Sequence, residues 1–154
     1  MIYRSSACTI NDNEPPNHEN VRLCHVEIFN LPSLCEVRNI MQALTNDFKT
    51  KDTISSAVLI IQDSSDGTEK PTWQHGIILG KQMLQNSKTL SAHLAGTVFR
   101  VSDTSRIFSV VETALKIYTP RNPILFADSE ESQRQYIEAI VNNSQKVRGK
   151  KIKH

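Results

Sequence analysis

Glycine is scarce in this chain, and its glycines form no loop suited to a phosphate group. The 154 residues include five glycines, and neither a G-x-G-x-x-G pattern nor a P-loop pattern occurs. Such loops let backbone N–H groups approach a phosphate closely, which larger side chains obstruct. Dinucleotide binding and P-loop nucleotide hydrolysis are therefore excluded, and no cofactor is predicted.

Cysteine and histidine are too few and too scattered for a metal site. The three cysteines are Cys8, Cys24 and Cys35, and without a C-x-x-C pair an odd count argues against a disulfide framework or zinc. Buried hydrophobic packing is their expected role. A hairpin turn centred near Pro16 would place Cys8 opposite Cys24.

Long apolar runs are also missing. The mean hydropathy is -0.37, and no segment reaches the ~18 apolar residues that a membrane span requires. Polar Asn11 and Asp12 come too early for the core of a signal peptide. We therefore expect no membrane span and a cytoplasmic location.

Positive charge is concentrated at the C-terminal end, although the net charge is only +2. Five basic residues lie there without an acidic neighbour: Lys146, Arg148, Lys150, Lys151 and Lys153. The rest of the chain is slightly acidic, so no specific nucleic-acid partner is predicted. The expected organisation is one domain over residues 1–143 and a basic flexible tail over 144–154.

The first 30 residues are typical of a β-hairpin. Residues 3–10 and 21–29 are rich in strand-forming side chains. Between them, residues 11–20 are turn formers that include Pro15 and Pro16.

Beyond the hairpin, the hydrophobic pattern alternates between helical and strand periods. Strands are predicted at 57–61, 93–101 and 124–127, and helices at 34–48, 72–84, 107–118 and from Asp128 to Val141. Ser33 with Glu36, and Asp128 with Glu131, have the spacing of a capping box. Gly76 and Gly80, four residues apart, predict a small-residue face for close packing.

This order predicts an α/β domain with a mixed, mainly parallel sheet, an N-terminal antiparallel hairpin and about four helices. Strands joined through helices pair in parallel by right-handed crossovers. No group of candidate catalytic residues accompanies this order of helices and strands. Ser64 lacks the G-x-S-x-G context of a hydrolase nucleophile, and Asp63 lacks the partners of a phosphoacceptor, so a non-enzyme is predicted.

Hydroxyl-bearing residues cluster where strands end and helices begin, at 63–72, 102–105 and 128–129. Helix capping is the simplest role for them. Free N–H groups and the helix dipole also favour an anion there, which makes Ser102 and Asp103 candidate anion-binding residues.

Three segments resemble the STAS family, the domain of anti-sigma-factor antagonists and sulphate-transporter tails. They are Gly-Ile-Ile-Leu-Gly-Lys at 76–81, Val-Phe-Arg-Val-Ser at 98–102 and Phe-Ala-Asp-Ser-Glu-Glu at 126–131. The likeness spans roughly residues 1–141. It implies the α/β architecture just described and a regulatory role through protein contacts.

In regulatory STAS members, a D-S-[ST]-G motif opens the second helix, and a partner kinase phosphorylates its hydroxyl. Alignment on residues 76–80 places Thr72 and Trp73 at that motif, where Thr72 supplies the only hydroxyl. Ser64 and Ser65 belong to a similar sequence, Asp-Ser-Ser-Asp-Gly at 63–67, several residues earlier. Thr72, Ser64 and Ser65 are therefore the candidate switch residues, and Trp73, the only tryptophan, is the candidate partner anchor.

Two functions follow from different observations. The leading expectation is a non-enzymatic regulatory domain that binds a protein partner, such as a kinase-like regulator, with phosphorylation as its control. The alternative is an α/β domain, either a binding module or an enzyme, that binds a small ligand or anion at the carboxyl ends of its strands. A homodimer paired through the hairpin edge is a further option.

Overall fold

The structure is a computed structural model that describes residues 2–13, 21–50, 56–65, 69–101 and 104–152, with backbone alone for 13, 56, 101, 104–107 and 144–152. Its elements follow one another along the chain as β1 (Tyr3–Arg4), β2 (Cys8–Asn13), β3 (Val21–Ile28), α1 (Leu34–Thr50), β4 (Ser56–Asp63), α2 (Trp73–Gln85), α3 (Ser87–His93), β5 (Leu94–Val101), α4 (Thr104–Ile117), β6 (Ile124–Ala127) and α5 (Glu130–Ile152).

The six strands form a single mixed sheet in which each strand lies beside its neighbours in sequence. β1, β2 and β3 are antiparallel, whereas β3 to β6 are parallel. In the parallel part, Ile61 of β4 pairs with both Val26 and Phe99. The predicted α/β class, with its antiparallel N-terminal portion and mainly parallel remainder, is confirmed.

The N-terminal segment 3–10 differs from the single strand that was predicted. A turn divides it into β1 and β2, which pair with each other through Tyr3 and Ile10. Ser5 stabilises the turn, because its Oγ accepts hydrogen bonds from the N–H groups of Ala7 at 3.1 Å and Cys8 at 3.2 Å. The hydroxyl thus gives the backbone a local alternative to continuing the strand.

The prediction that Cys8 faces Cys24 is wrong. Cys8 pairs with Ile28, and Cys24 pairs with Asp12, because β2 continues through residues that were expected to form the turn. Both side chains are buried, and neither is part of a disulfide. Burial, reinforced by the Glu36 carboxylate, raises the pKa of the Cys8 thiol to about 11. Cys8 is therefore a hydrophobic packing residue and not a reactive thiolate.

Helices cover the two faces of the sheet unequally. Right-handed crossovers between adjacent parallel strands place α1 to α4 on one face, while α5 crosses the other. The buried cluster beneath α5 consists of Val21, Val58, Ile60, Val98, Ala127, Ile137, Ile140 and Val141. The opposite cluster consists of Ile10, Cys24, Val26, Leu44, Phe48, Ala57, Leu59 and Leu90.

The distance between helix and sheet also differs between the two faces. The backbone of α5 lies close to β5 and β6, whereas the backbones of α1, α2 and α4 stand farther from the strands. Gly96 permits the close approach, since a Cβ atom at that position would lie 2.8 Å from Cδ1 of Ile140. The other face has more room between its layers.

Two further features of the helices were not predicted. α3 was missed and its last residue, His93, was assigned to the following strand. α5 runs on to Ile152, so residues 144–152 have helical backbone, and the basic flexible tail over 144–154 stays a prediction. Within the described residues, no helix combines the length and apolar character needed to cross a bilayer.

A charged cluster at the amino end of β3 was also not foreseen. Nη1 of Arg22 lies 3.1 Å from Oδ2 of Asp12 and 3.0 Å from Oδ2 of Asp47. The guanidinium also lies 5.9 Å from the centroid of the Phe48 ring, within the range of a cation–π contact. These contacts join β2, β3 and the end of α1 on the helix-rich face.

The α2 and α4 backbones touch at two glycines. A Cβ atom on Gly76 would lie 2.6 Å from Cβ of Thr113, and one on Gly80 would lie 2.9 Å from the carbonyl oxygen of Ala114. These separations are too short for a real side chain. The small-residue face predicted from the spacing of Gly76 and Gly80 is confirmed, and its partner is α4.

We expect Gly80→Ala to destabilise the fold. In an open helix, alanine is favoured over glycine by about 0.8–1 kcal/mol, but here the added methyl group must push α4 away, which typically costs ~1–3 kcal/mol. The free energy of unfolding, measured by denaturant titration, is expected to fall. Gln74→Ala, at an exposed position of the same helix, is the control and should be nearly neutral. A more stable Gly80→Ala variant would contradict the close contact.

Candidate functional site

A cavity of about 210 Å3 lies between the sheet and the layer of α1, α2 and α4. Its walls come from the inward faces of β3, β4 and β5 and from the facing sides of the helices. The apolar side chains that line it include Val26, Ile28, Ile40, Met41, Leu44, Leu59, Ile61, Leu79, Met83, Leu94, Phe99, Val110, Val111, Ala114, Leu115 and Ile124.

The cavity has an apolar end and a polar end. Leu94 and Ile124 mark the apolar end, where β5 and β6 begin. Asp63, Ser65 and Glu69 line the other end, where β4 ends and the chain passes toward α2. Glu69 is exposed and the other two are half-buried, so the polar end lies at the protein surface, beside the carboxyl ends of the strands. We call this polar end the opening. Ligands of open α/β sheets bind at this edge.

The size of the cavity is unusual for a protein interior. Protein cores have few voids larger than a water molecule, and an engineered apolar cavity of about 150 Å3 stays dry and binds benzene. A larger apolar space leaves many side chains without van der Waals partners on one side. The arrangement is therefore suited to taking up a compact apolar molecule.

Hydrogen bonds fix the first two residues after β4 at the polar end. Oδ1 of Asp63 accepts hydrogen bonds from the N–H of Ser65 at 3.0 Å and from its hydroxyl at 2.6 Å. The N–H of Ser64 donates to the carbonyl oxygen of Ile28 at 2.7 Å. Together these bonds hold the chain leaving β4 against the end of β3.

His75 fixes the start of α2 beside the same opening. The side chain is 9% exposed, and its Nδ1 lies 3.1 Å from both the backbone N and the hydroxyl of Thr72. Nε2 lies 2.9 Å from the carbonyl oxygen of Pro32. A backbone N–H can only donate and a carbonyl can only accept, so these partners select the tautomer protonated at Nε2.

Sequence reasoning did not single out His75. Its signal was the spacing, because it stands three residues after the N-cap Thr72, where a capping box normally has Glu or Gln. The imidazole performs that function and also reaches across to Pro32, ahead of α1. One side chain therefore joins the beginnings of two helices at the edge of the cavity.

The residues proposed from sequence fall into three groups. Ser65 lines the cavity. Ser64, Thr72 and Trp73 are exposed near the same edge, and Trp73 retains 67% of its accessible surface. The candidate anion-binding residues, Ser102 and Asp103, lie outside the described residues.

In the part of the chain that the structure describes, no three or more histidine, cysteine, aspartate or glutamate side chains are grouped so as to hold a metal ion.

Comparisons with models of known protein families, with curated proteins and with solved structures found no match.

Proposed function

We propose that this domain binds a small apolar molecule in the cavity between the sheet and the helices α1, α2 and α4. The observation that carries the proposal is the volume of about 210 Å3, enclosed almost entirely by apolar side chains. Binding pockets are concave and mostly apolar, with a few polar groups that orient the ligand. The proposal develops the ligand-binding alternative: the carboxyl ends of the strands form the entrance, and the ligand body lies deeper, under the helices.

The free energy of binding also favours a cavity that is occupied by an apolar molecule. A bound apolar molecule restores the van der Waals contacts that the cavity walls lack and removes its own surface from water at about 25 cal/mol per Å2. The walls need little rearrangement, because α2 is fixed to α4 at Gly76 and Gly80 and to Pro32 through His75. A preformed site avoids much of the cost of ordering side chains on binding.

We expect toluene and cyclohexanol to stabilise the protein saturably in a thermal-shift titration. A ligand present at 100 times its dissociation constant stabilises the folded state by about 2.7 kcal/mol. The variant Ala114→Leu adds three carbon atoms to the cavity wall, so it should be more stable than the unmodified protein by up to ~2 kcal/mol and should lose the response to both probes.

The control is Ala139→Leu, the same substitution at an exposed position of α5, which should leave the response to the probes intact. Ala114→Val is the second, milder filling variant if the leucine disturbs the fold. An unmodified protein that ignores both probes, or filling variants that respond as strongly as the unmodified protein, would refute ligand binding in this cavity.

A second candidate function is the regulatory, partner-binding role implied by the STAS resemblance. Trp73 favours this regulatory role, because 67% of its surface is exposed to solvent. Tryptophan side chains often contribute much of the binding energy at protein–protein interfaces. Thr72, immediately before Trp73, is exposed as well. Phosphorylation there would place about −1.5 to −2 charges next to His75, and so alter the cap of α2. The partner in this proposal is a protein such as a kinase-like regulator.

For this candidate, we expect Trp73→Ala to abolish a stoichiometric complex recovered from native extract by the tagged chain, and Thr72→Glu to weaken it. Leu84→Ala is the matched control, since Leu84 is another large apolar residue of α2 and is 52% exposed. The absence of a stoichiometric partner, or a complex equally strong in all three variants, would argue against the regulatory role.

A further inference from the structure

Thr97 places a buried hydroxyl group on the wall of the cavity. It is one of three polar residues buried in the described part of the chain, with Thr45 and His75. The hydroxyl of Thr45 donates to the carbonyl oxygen of Met41 at 3.0 Å, and both ring nitrogens of His75 have partners. Thr97 is 7% exposed, yet no donor or acceptor among the described residues bonds to its hydroxyl. Because buried polar side chains are nearly always hydrogen-bonded, this group calls for a partner.

The register of the strands places Thr97 deep in the cavity. Side chains alternate along β5, so Thr97 lines the cavity while the next residue, Val98, belongs to the cluster beneath α5. The oxygen of Thr97 is not closed off by neighbouring atoms and so borders the cavity. Thr97 pairs with Ile124 and with Leu59. Leu59 precedes Asp63 by four residues in β4, a separation of about 13 Å at ~3.3 Å per residue. The hydroxyl therefore lies at the apolar end, away from the opening.

Neither strand formation nor a bound water accounts for this hydroxyl. Valine has the same shape as threonine, is equally suited to a strand and would leave no polar group to satisfy. A buried water normally makes about three hydrogen bonds, but the side chains that line this end beside Thr97 are the apolar Leu59, Leu94 and Ile124. The backbones of β4, β5 and β6 are paired with one another in the sheet. A polar atom of a bound ligand would supply the partner that the protein does not.

We propose that Thr97 orients the ligand, and that the cavity binds compact apolar molecules carrying one uncharged hydroxyl or carbonyl oxygen, which forms a hydrogen bond with Oγ1 of Thr97. This inference rests on the proposed ligand-binding function and specifies its chemical class. A cavity somewhat larger than one that holds benzene suits a body of roughly six to ten carbon atoms. The oxygen must be uncharged, because an ion buried at the apolar end would lose its hydration without gaining an opposite charge.

The test compares phenol with toluene, which have the same ring and differ in a hydroxyl or a methyl group. Both are titrated at neutral pH by isothermal calorimetry into the full chain and into the variant Thr97→Val. Phenol should bind the unmodified protein and should lose about fivefold or more in affinity for Thr97→Val, because its buried hydroxyl then has no partner. Toluene makes no hydrogen bond, so its affinity should change by less than about twofold in this volume-conserving variant.

Thr97→Ser is the matched control, because it keeps the hydroxyl. Its ratio of phenol affinity to toluene affinity should stay within about twofold of that of the unmodified protein. The melting temperature without ligand is a second measurement. Thr97→Val removes an unpaired hydroxyl and keeps the shape of the side chain, so it should melt at the same temperature as the unmodified protein or higher.

The outcomes separate this inference from the function on which it rests. If toluene binds but phenol does not, or if phenol binds Thr97→Val as tightly as the unmodified protein, the role of Thr97 is overturned and ligand binding stands. The same holds if toluene loses as much affinity as phenol. A lower melting temperature of Thr97→Val would show that the hydroxyl has a partner within the protein, which also overturns the inference. If neither probe binds the unmodified protein, the proposed function itself fails.

Discussion

The structure depends on the direct contact between the backbones of α2 and α4. Gly76 and Gly80 bring α2 so close to α4 that no side chain fits at either glycine position, and this contact fixes α2 to its neighbouring helix. The backbones of both helices stand farther from the strands than that of α5 does on the opposite face. The space that remains is the apolar cavity, so a helix–helix contact determines the volume beneath the helices.

The same arrangement fixes the start of α2 at the edge of the cavity. His75 lies one residue before Gly76, and its imidazole joins Thr72 to Pro32. The entrance is therefore held by one side chain that caps α2 and contacts the segment before α1. The closely packed helix pair and this cap together hold the cavity walls in place, and a preformed apolar cavity is what the proposed ligand binding requires.

Local patterns predicted much of the fold but little of the site. The apolar periods located the main helices and strands, and the Ser33 cap is confirmed by the hydrogen bond from the N–H of Glu36 to its Oγ at 3.1 Å. The pairing of Cys8 with Ile28 depends on where a long connection bends, which composition does not reveal. α3 was missed because Leu90 is its only buried residue. The cavity arises from the distance between the sheet and the helices that cover it. The period of apolar residues along the sequence carries no information about that distance.

Methyl NMR under xenon pressure tests most directly whether the cavity between the sheet and α1, α2 and α4 admits an apolar ligand. Xenon occupies apolar cavities without requiring a polar head. The account predicts saturable chemical-shift changes at the methyl groups of lining residues such as Ile61, Leu79 and Val111, with no change at Ile137 on the opposite face. Lining methyl groups that do not respond, or that respond no more than Ile137, would contradict it.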